Sequence, residues 1–268
     1  MDALEQINGW GADHAAAAVL RADGVLDTHG DRAHVYRIAS VTKLMTALAA
    51  LVAAEEGVID LDEPAGPPGS TVRHLLAHAS GLPFESDGAP IAKPGTRRIY
   101  SNAGFEALAR TVEDHAEMPF PDYLREAVFR PLGMGSELRG SPAADVYASL
   151  DDLIRFACEL LAPTLVSAET FAEATTVQFP GLGGVLPGVG RFDPLDWGLG
   201  FELKDAKDPH WSGSRTSPRT FGHFGGSGTF VWVDPDVDLA LACLTDREFD
   251  AWALDAWPRL SDDVLASS

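Results

Sequence analysis

The segment Ser40-Val41-Thr42-Lys43 holds a potential nucleophile and a potential base three residues apart. If a helix begins here, this spacing places both side chains on one side of its first turn. A lysine in a first turn faces the positive end of the helix dipole, and the apolar residues that follow predict a buried helix. Both effects lower the pKa of Lys43, so its neutral amine could take the Ser40 proton. The alternative for Ser40 is helix capping, which leaves the lysine unexplained.

A second segment with potentially catalytic side chains, Tyr100-Ser101-Asn102, comes just before a predicted helix that begins near residue 103. A tyrosine beside a lysine can carry a proton to a leaving group. The Asn102 amide could orient Lys43 and hold a substrate carbonyl. The alternative is that Asn102 caps the helix and Tyr100 belongs to the core.

The third segment, residues 222–228, reads GHFGGSG on a predicted strand. Glycines inside a strand often mark a close approach of a ligand or another backbone. A substrate lying along His223, Gly225 and Gly226 could place its carbonyl oxygen between the N–H groups of Gly226 and Ser40, which would form an oxyanion hole. The alternative is a tightly packed strand with one hydrogen-bonded histidine, and this segment by itself leaves both open.

Taken in order, these segments resemble the Ser-x-x-Lys, Tyr-x-Asn and His-x-Gly motifs of the beta-lactamase and penicillin-binding protein superfamily. They are most similar to its class C-like branch, which includes D-aminopeptidases, D,D-peptidases and family VIII carboxylesterases. Residues 75–83 (LLAHASGLP) and 197–201 (WGLGF) resemble two accessory segments of that branch, and the resemblance extends over residues 15–265. It implies a serine hydrolase that works through an acyl-enzyme, without a metal or an organic cofactor.

The resemblance also implies a role for each candidate residue. Ser40 is the nucleophile, Lys43 is its base, and Tyr100 passes a proton to the leaving group and later activates water. Asn102, His223, Gly225 and Gly226 are the expected substrate-binding residues, and Ser40 and Gly226 the expected oxyanion hole.

One departure from the family concerns position 223, where the lactam-cleaving members usually carry lysine and this chain carries histidine. A histidine is mostly neutral at pH 7 and binds a substrate carboxylate poorly. We therefore expect a small ester or amide as substrate, as for a carboxylesterase. The alternatives are beta-lactamase, D,D-peptidase or D-aminopeptidase activity, and a non-hydrolysing acyl-binding sensor or pseudoenzyme. Arg219 could supply the missing positive charge if it folded into the site.

The elements that must position these residues predict an α+β fold. Strands are expected at residues 14–21, 25–28, 34–38, 198–203, 220–223, 229–233 and 239–245. Helices are expected at residues 2–9, 41–56, 72–78, 103–117, 120–129, 150–161, 168–175 and 251–265. Because strands occur near both termini, we expect one antiparallel sheet flanked by helices, formed by residues 1–60 and 195–268, with an all-helical insert at 61–194. The loop at 179–194 is expected to form a rim of the site.

The composition limits the kinds of partner that we expect this protein to bind. Of the 268 residues, 40 are acidic and 20 are lysine or arginine, and the net charge of −20 disfavours nucleic acid and anionic membranes as partners. The first residues lack the basic and apolar regions of a signal peptide, and Cys158 and Cys243 both lie in apolar stretches, so we expect a cytoplasmic protein with buried thiols. The oligomeric state stays open.

A metal site is the remaining alternative, because His74 and His78 share the spacing of a zinc-binding helix. The residue after His74 is Leu75, where the metalloprotease motif requires glutamate. We therefore expect no metal site, and a local hydrogen bond for His78.

Overall fold

The structure, a computed structural model, describes residues 2–85 and 88–267. Its strands are β1 (Ala15–Arg21), β2 (Gly24–Gly30), β3 (Val35–Arg37), β4 (Arg98–Ile99), β5 (Glu137–Leu138), β6 (Val146–Ser149), β7 (Gly184–Leu186), β8 (Gly190–Phe192), β9 (Glu202–Leu203), β10 (Phe221–Gly225), β11 (Thr229–Asp234) and β12 (Leu239–Thr245). Its α-helices are α1 (Thr42–Glu55), α2 (Val72–Leu76), α3 (Asn102–Ala116), α4 (Phe120–Leu124), α5 (Leu150–Leu161), α6 (Ala168–Ala174) and α7 (Ala251–Ser267). Short 3-10 segments cover Asp2–Gly9 and Ala39–Val41, and a π-turn covers Arg125–Phe129.

The main sheet has six strands in the order β2-β1-β12-β11-β10-β9, and every neighbouring pair is antiparallel. Its strands come from the two ends of the sequence, as predicted, so the α+β class is confirmed. The hairpin of β1 and β2 brings β1 against β12, with Ala15 opposite Thr245 and Leu20 opposite Ala240.

The sheet is covered on both faces, which explains why every residue of β12 is buried. On one face Ala240, Ala242 and Leu244 join the core formed with α1 and α5. On the other face Leu239, Leu241 and Cys243 pack with residues of α7 and the N-terminal 3-10 segment. Because successive residues of a strand point to opposite faces, a strand between two helical layers buries all of its side chains.

The structure corrects several details of the predicted elements. Strand β3 lies outside the main sheet and pairs with β6, while β4 pairs with the β7–β8 hairpin. The predicted helical insert 61–194 therefore contains five short strands, β4–β8, in addition to α2–α6. Two of them, β7 and β8, lie in the predicted loop 179–194. Strands of two to four residues are too short for side-chain alternation to stand out in a sequence.

A second correction concerns residues 198–203, of which only Glu202–Leu203 form a strand. The Gly200 N–H donates to the Leu76 carbonyl at 3.1 Å, so this segment packs against the end of α2. The domain boundaries at residues 60/61 and 194/195 stay a prediction.

Helix α1 lies in the middle of the molecule, and its residues from Thr42 to Ala53 are all buried. The predicted buried helix is thus confirmed, and Lys43 lies in its first turn. Among residues 2–85 and 88–267, no helix is both long enough and apolar enough to cross a bilayer.

Candidate active site

Ser40 lies in the 3-10 turn that connects β3 to α1. The residue before it, Ala39, has a φ of 44°, a left-handed conformation that costs energy for a residue other than glycine. The N-cap of α1 is Val41, and no side chain makes a capping hydrogen bond there. The Ser40 hydroxyl is therefore not engaged as a helix cap, and its Oγ lies 3.3 Å from the Nζ of Lys43.

The Lys43 amine is fully buried and surrounded by oxygen atoms. Its Nζ lies 2.6 Å from Oδ1 of Asn102, 2.9 Å from the carbonyl oxygen of Ala143 and 3.3 Å from Oγ of Ser40. Burial lowers the pKa of Lys43 from 10.5 to about 7, and the nearby charge of Glu106 opposes part of this shift. A large fraction of the amine is therefore neutral at physiological pH, as the sequence analysis expected.

The start of α3 explains why the Asn102 side chain is available to Lys43. Ser101 is the N-cap, and its Oγ accepts a hydrogen bond of 2.9 Å from the Gly104 N–H. The Ser101 N–H donates to Nδ1 of His78 at 3.1 Å, and its hydroxyl donates to the Pro83 carbonyl at 2.6 Å. Asn102 is the first residue of the helix rather than its cap, so its amide points to the lysine.

Tyr100 is only 8% exposed, and it lines the same pocket as Ser40. Burial raises the pKa of Tyr100, although the nearby Ser40 side chain lowers it in part. The Nζ of Lys43 lies 4.8 Å from the centre of the tyrosine ring. Tyr100 therefore keeps its proton at neutral pH and can donate it.

His223 on β10 is 1% exposed, and its ring lies 5.5 Å from that of Tyr100. Its Nδ1 lies 2.6 Å from the carbonyl oxygen of Phe224. Because a carbonyl only accepts, we assign the proton to Nδ1, which leaves a lone pair on Nε2. Burial and the nearby Lys43 lower the pKa of His223 to about 3, so this side chain is neutral at pH 7.

The glycines after His223 allow β10 to approach the Ser40 turn. A Cβ at Gly225 would lie 2.3 Å from the carbonyl oxygen of Ile38, so any side chain would push the strand away. The carbonyl of Gly226 accepts a hydrogen bond of 2.8 Å from the Phe249 N–H. Gly226 and Ser40 line the same pocket, where the sequence analysis expects the oxyanion hole.

This pocket has a volume of about 220 Å³. Its described lining residues carry no charged side chain, and they are Ser40, Phe84, Tyr100, Leu186, Pro187, Gly188, His223, Phe224, Gly226 and Phe249. The segment 179–194 is predicted to form a rim of the site, and the tip of its β7–β8 hairpin does line the pocket. Phe84 and Phe249 were not predicted to line the site, because an aromatic residue in a loop carries no motif that distinguishes a pocket wall from the core.

Arg219 does not supply the missing positive charge. Its side chain is 70% exposed and pairs with Asp236 at 2.9 Å, outside the pocket. His74 and His78 likewise have separate partners, since Nδ1 of His74 lies 2.9 Å from the Thr71 hydroxyl and Nδ1 of His78 accepts from Ser101. Within the described part of the chain, no three histidine, cysteine, aspartate or glutamate side chains are grouped as metal ligands.

Two sequence relatives show how far the similarity extends. The D-alanyl-D-alanine-carboxypeptidase/endopeptidase AmpH of Escherichia coli is 30% identical over an alignment of 136 positions, gaps included, which covers 37% of this chain and 35% of that protein. The chain thus matches only about a third of the length of that relative. Esterase EstB of Burkholderia gladioli is 24% identical across 95% of this chain and 89% of its own length.

A solved structure is much more similar over its whole length. A beta-lactamase from Mycobacterium bovis superimposes with a TM-score of 0.97 and 58% identity, covering 99% of this chain and 98% of that one. The family model described as Beta-lactamase matches residues 11–137 and 135–266. Together with the three ordered motifs around Ser40, these matches show that the chain belongs to the beta-lactamase family.

Proposed function

We propose that this protein is a serine hydrolase that cleaves a small, uncharged ester or amide through an acyl-enzyme. The observation that carries the proposal is the surroundings of the Lys43 amine. A neutral amine has two N–H groups and one lone pair. Oδ1 of Asn102 and the Ala143 carbonyl can only accept, so they take both N–H groups. The lone pair is then left for the proton of Ser40, the third neighbour of Nζ.

The steps after proton removal follow from the same neighbours. Oγ of Ser40 attacks the substrate carbonyl, and the N–H groups of Ser40 and Gly226 stabilise the oxyanion. Tyr100 keeps its proton at neutral pH and lines the same pocket as Ser40, so it is placed to protonate the leaving group. In the second half of the reaction Tyr100 and Lys43 activate the water that releases the acyl group.

The preference for a neutral substrate rests on charge. No described residue that lines the pocket carries a cationic side chain, and His223 is neutral at pH 7. A substrate carboxylate would lose its hydration without a fixed positive partner, and the net charge of −20 would repel it further. A neutral ester has no charge to desolvate, and the net charge of the protein does not repel it. The proposed reaction requires no metal or organic cofactor, and its partner is a small molecule rather than nucleic acid or membrane.

Labelling with a fluorophosphonate probe tests the nucleophile directly. We expect the probe to modify the native protein at Ser40, as located by mass spectrometry of the labelled peptide. The Ser40→Ala variant should not be labelled. Modification of Ser101 or Ser227 with Ser40 untouched would refute the assignment.

A second candidate function, beta-lactamase or D,D-peptidase activity, is favoured by the names of the relatives from Mycobacterium bovis and Escherichia coli. The two candidates differ in kcat/KM for an aryl acetate and for a chromogenic cephalosporin. A higher value for the cephalosporin would favour the second. A probe-reactive protein that turns over neither compound, and stays acylated, would instead be an acyl-binding sensor.

A further inference from the structure

One end of the candidate pocket is closed by a contact between a hairpin turn and an aromatic ring. Gly188 lies in the turn between β7 and β8 with a φ of +73°, a conformation that favours glycine. A Cβ at Gly188 would lie 2.5 Å from Cε1 of Phe249, so the backbone of the turn lies directly against the ring. Only a residue without a side chain allows this contact.

The Phe249 ring is held from two sides, so it forms a fixed wall. Its centre lies 4.9 Å from that of Phe224 and 5.2 Å from that of Trp257. Its backbone N–H donates to the carbonyl of Gly226 at 2.8 Å. Because Gly226 is the proposed oxyanion donor, this hydrogen bond ties the backbone of Phe249 to the proposed oxyanion hole.

The position of Tyr100 indicates which part of a substrate meets this wall. Tyr100 protonates the leaving group in the proposed reaction, so the leaving group lies at the Tyr100 end of the pocket. Phe84 stacks on Tyr100 at that end, with ring centres 5.9 Å apart. Gly188, Phe224 and Phe249 line another part of the pocket wall, and we assign that part to the acyl group.

We propose that Phe249, held against Gly188, limits the length of the acyl chain, and that the site takes short, uncharged acyl groups. This inference rests on the proposed function and deepens it. The pocket volume of about 220 Å³ must also hold the reacting carbonyl, and Phe249 lines its wall. Such a pocket accommodates a chain of a few carbons and stops a longer one at the ring.

The test is a series of p-nitrophenyl esters from acetate to decanoate, in which the leaving group stays constant. For the native protein we expect kcat/KM to be highest for the short esters and to fall steeply beyond them. Phe249→Ala removes the wall, and each methylene that becomes buried adds roughly fourfold to kcat/KM. The octanoate-to-acetate ratio should therefore rise by at least about tenfold, and Phe249→Leu should give a smaller rise in the same direction.

The control is Trp252→Ala. Trp252 is also a partly buried aromatic residue that packs on Trp257, but it does not line the pocket. A loss of stability shared by Phe249→Ala and Trp252→Ala lowers kcat/KM for all esters, whereas only the former should change the chain-length profile. If Phe249→Ala fails to fold, the chain-length profile of Phe249→Leu still tests whether Phe249 limits the acyl chain.

The outcomes separate this inference from the proposed function. If Phe249→Ala and Phe249→Leu are active and keep the native chain-length profile, Phe249 does not limit the acyl chain. That result would leave the esterase proposal intact. A second series, of acetate esters of alcohols of increasing length, tests the assignment of the two groups. If Phe249→Ala changes the dependence on alcohol length and not on acyl length, the leaving group lies against Phe249, contrary to our assignment. A native protein that hydrolyses no ester and does not react with the fluorophosphonate would overturn the proposed function, and this inference with it.

Discussion

Lys43 and Asn102 are separated by 59 residues, yet Nζ of the first lies 2.6 Å from Oδ1 of the second. The contact joins the first turn of α1 to the first turn of α3. Because the amide oxygen takes one N–H of the amine, it helps to fix the direction of the lone pair. Asn102 is therefore a positioning residue for Lys43, the proposed base. A substitution of Asn102 should alter proton transfer from Ser40 to Lys43.

Asn102→Asp should change the pH profile rather than only the rate. A carboxylate beside Nζ favours the ammonium form and raises the pKa of Lys43, typically by one to three units for a close pair. The acid limb of kcat/KM should therefore move upward by at least about one pH unit. Asn102→Ser removes the amide without adding charge and should lower kcat with little movement of the limb. Identical limbs in both variants would contradict the coupling.

Ser40→Ala should abolish turnover while leaving the fold intact. We expect a loss of roughly 10³-fold or more, because the nucleophile is removed. The free energy of unfolding should change by less than about 0.5 kcal/mol, since Ser40 does not cap α1. Ser101→Ala is the comparison, because Ser101 caps α3 and its loss should cost about 1 kcal/mol or more. Urea denaturation of both variants measures the difference.

The native pH profile should have an acid limb near pH 7. Burial lowers the pKa of Lys43 to about 7, so below this pH the amine gains a proton and no longer accepts one from Ser40. Lys43→Arg should be nearly inactive at every pH, because a guanidinium stays protonated. An arginine variant that kept most of the activity would exclude Lys43 as the base.

Lys43 should also make the free energy of unfolding depend on pH. Its pKa is about 7 in the folded protein and roughly 10.4 in an unfolded chain, so between these values only the unfolded chain binds the proton. The free energy of unfolding therefore gains roughly 1.4 kcal/mol for each pH unit of increase in this range. Compared with Lys43→Met, the native protein should gain about 2 to 3 kcal/mol between pH 7.5 and 9.5. A constant difference between the two proteins would mean that the folded pKa is not depressed.

His223→Lys should shift the substrate preference towards an anionic lactam. The native side chain is neutral at pH 7, whereas a lysine could provide a charge-assisted contact worth about 1.5 to 3 kcal/mol. The ratio of kcat/KM for a cephalosporin to that for an aryl acetate should rise at least roughly tenfold. His223→Gln, which stays neutral, should not raise it. A native protein that already prefers the cephalosporin would refute the esterase assignment.

The sequence by itself was sufficient for the family, the α+β class and the candidate residues Ser40, Lys43 and Tyr100. These inferences depend on local order: a serine and a lysine in one helical turn, and strands at both ends of the chain. The apolar residues after Lys43 also indicated a buried helix, from which the lowered pKa follows. Such properties depend on neighbours along the chain, so they are visible in the sequence.

Only the tertiary structure decided what surrounds these groups. The Ala143 carbonyl, 2.9 Å from Nζ of Lys43, has no sequence signature because every residue has a carbonyl. Ser101 and Asn102 could both cap α3 by their residue types, and only the structure shows that Ser101 does. Likewise, only the structure shows that Arg219 lies outside the pocket. The wall formed by Gly188 and Phe249 joins a hairpin to a loop 61 residues later. Such contacts arise from packing between distant segments, and the pattern of residues along the chain does not encode their distances.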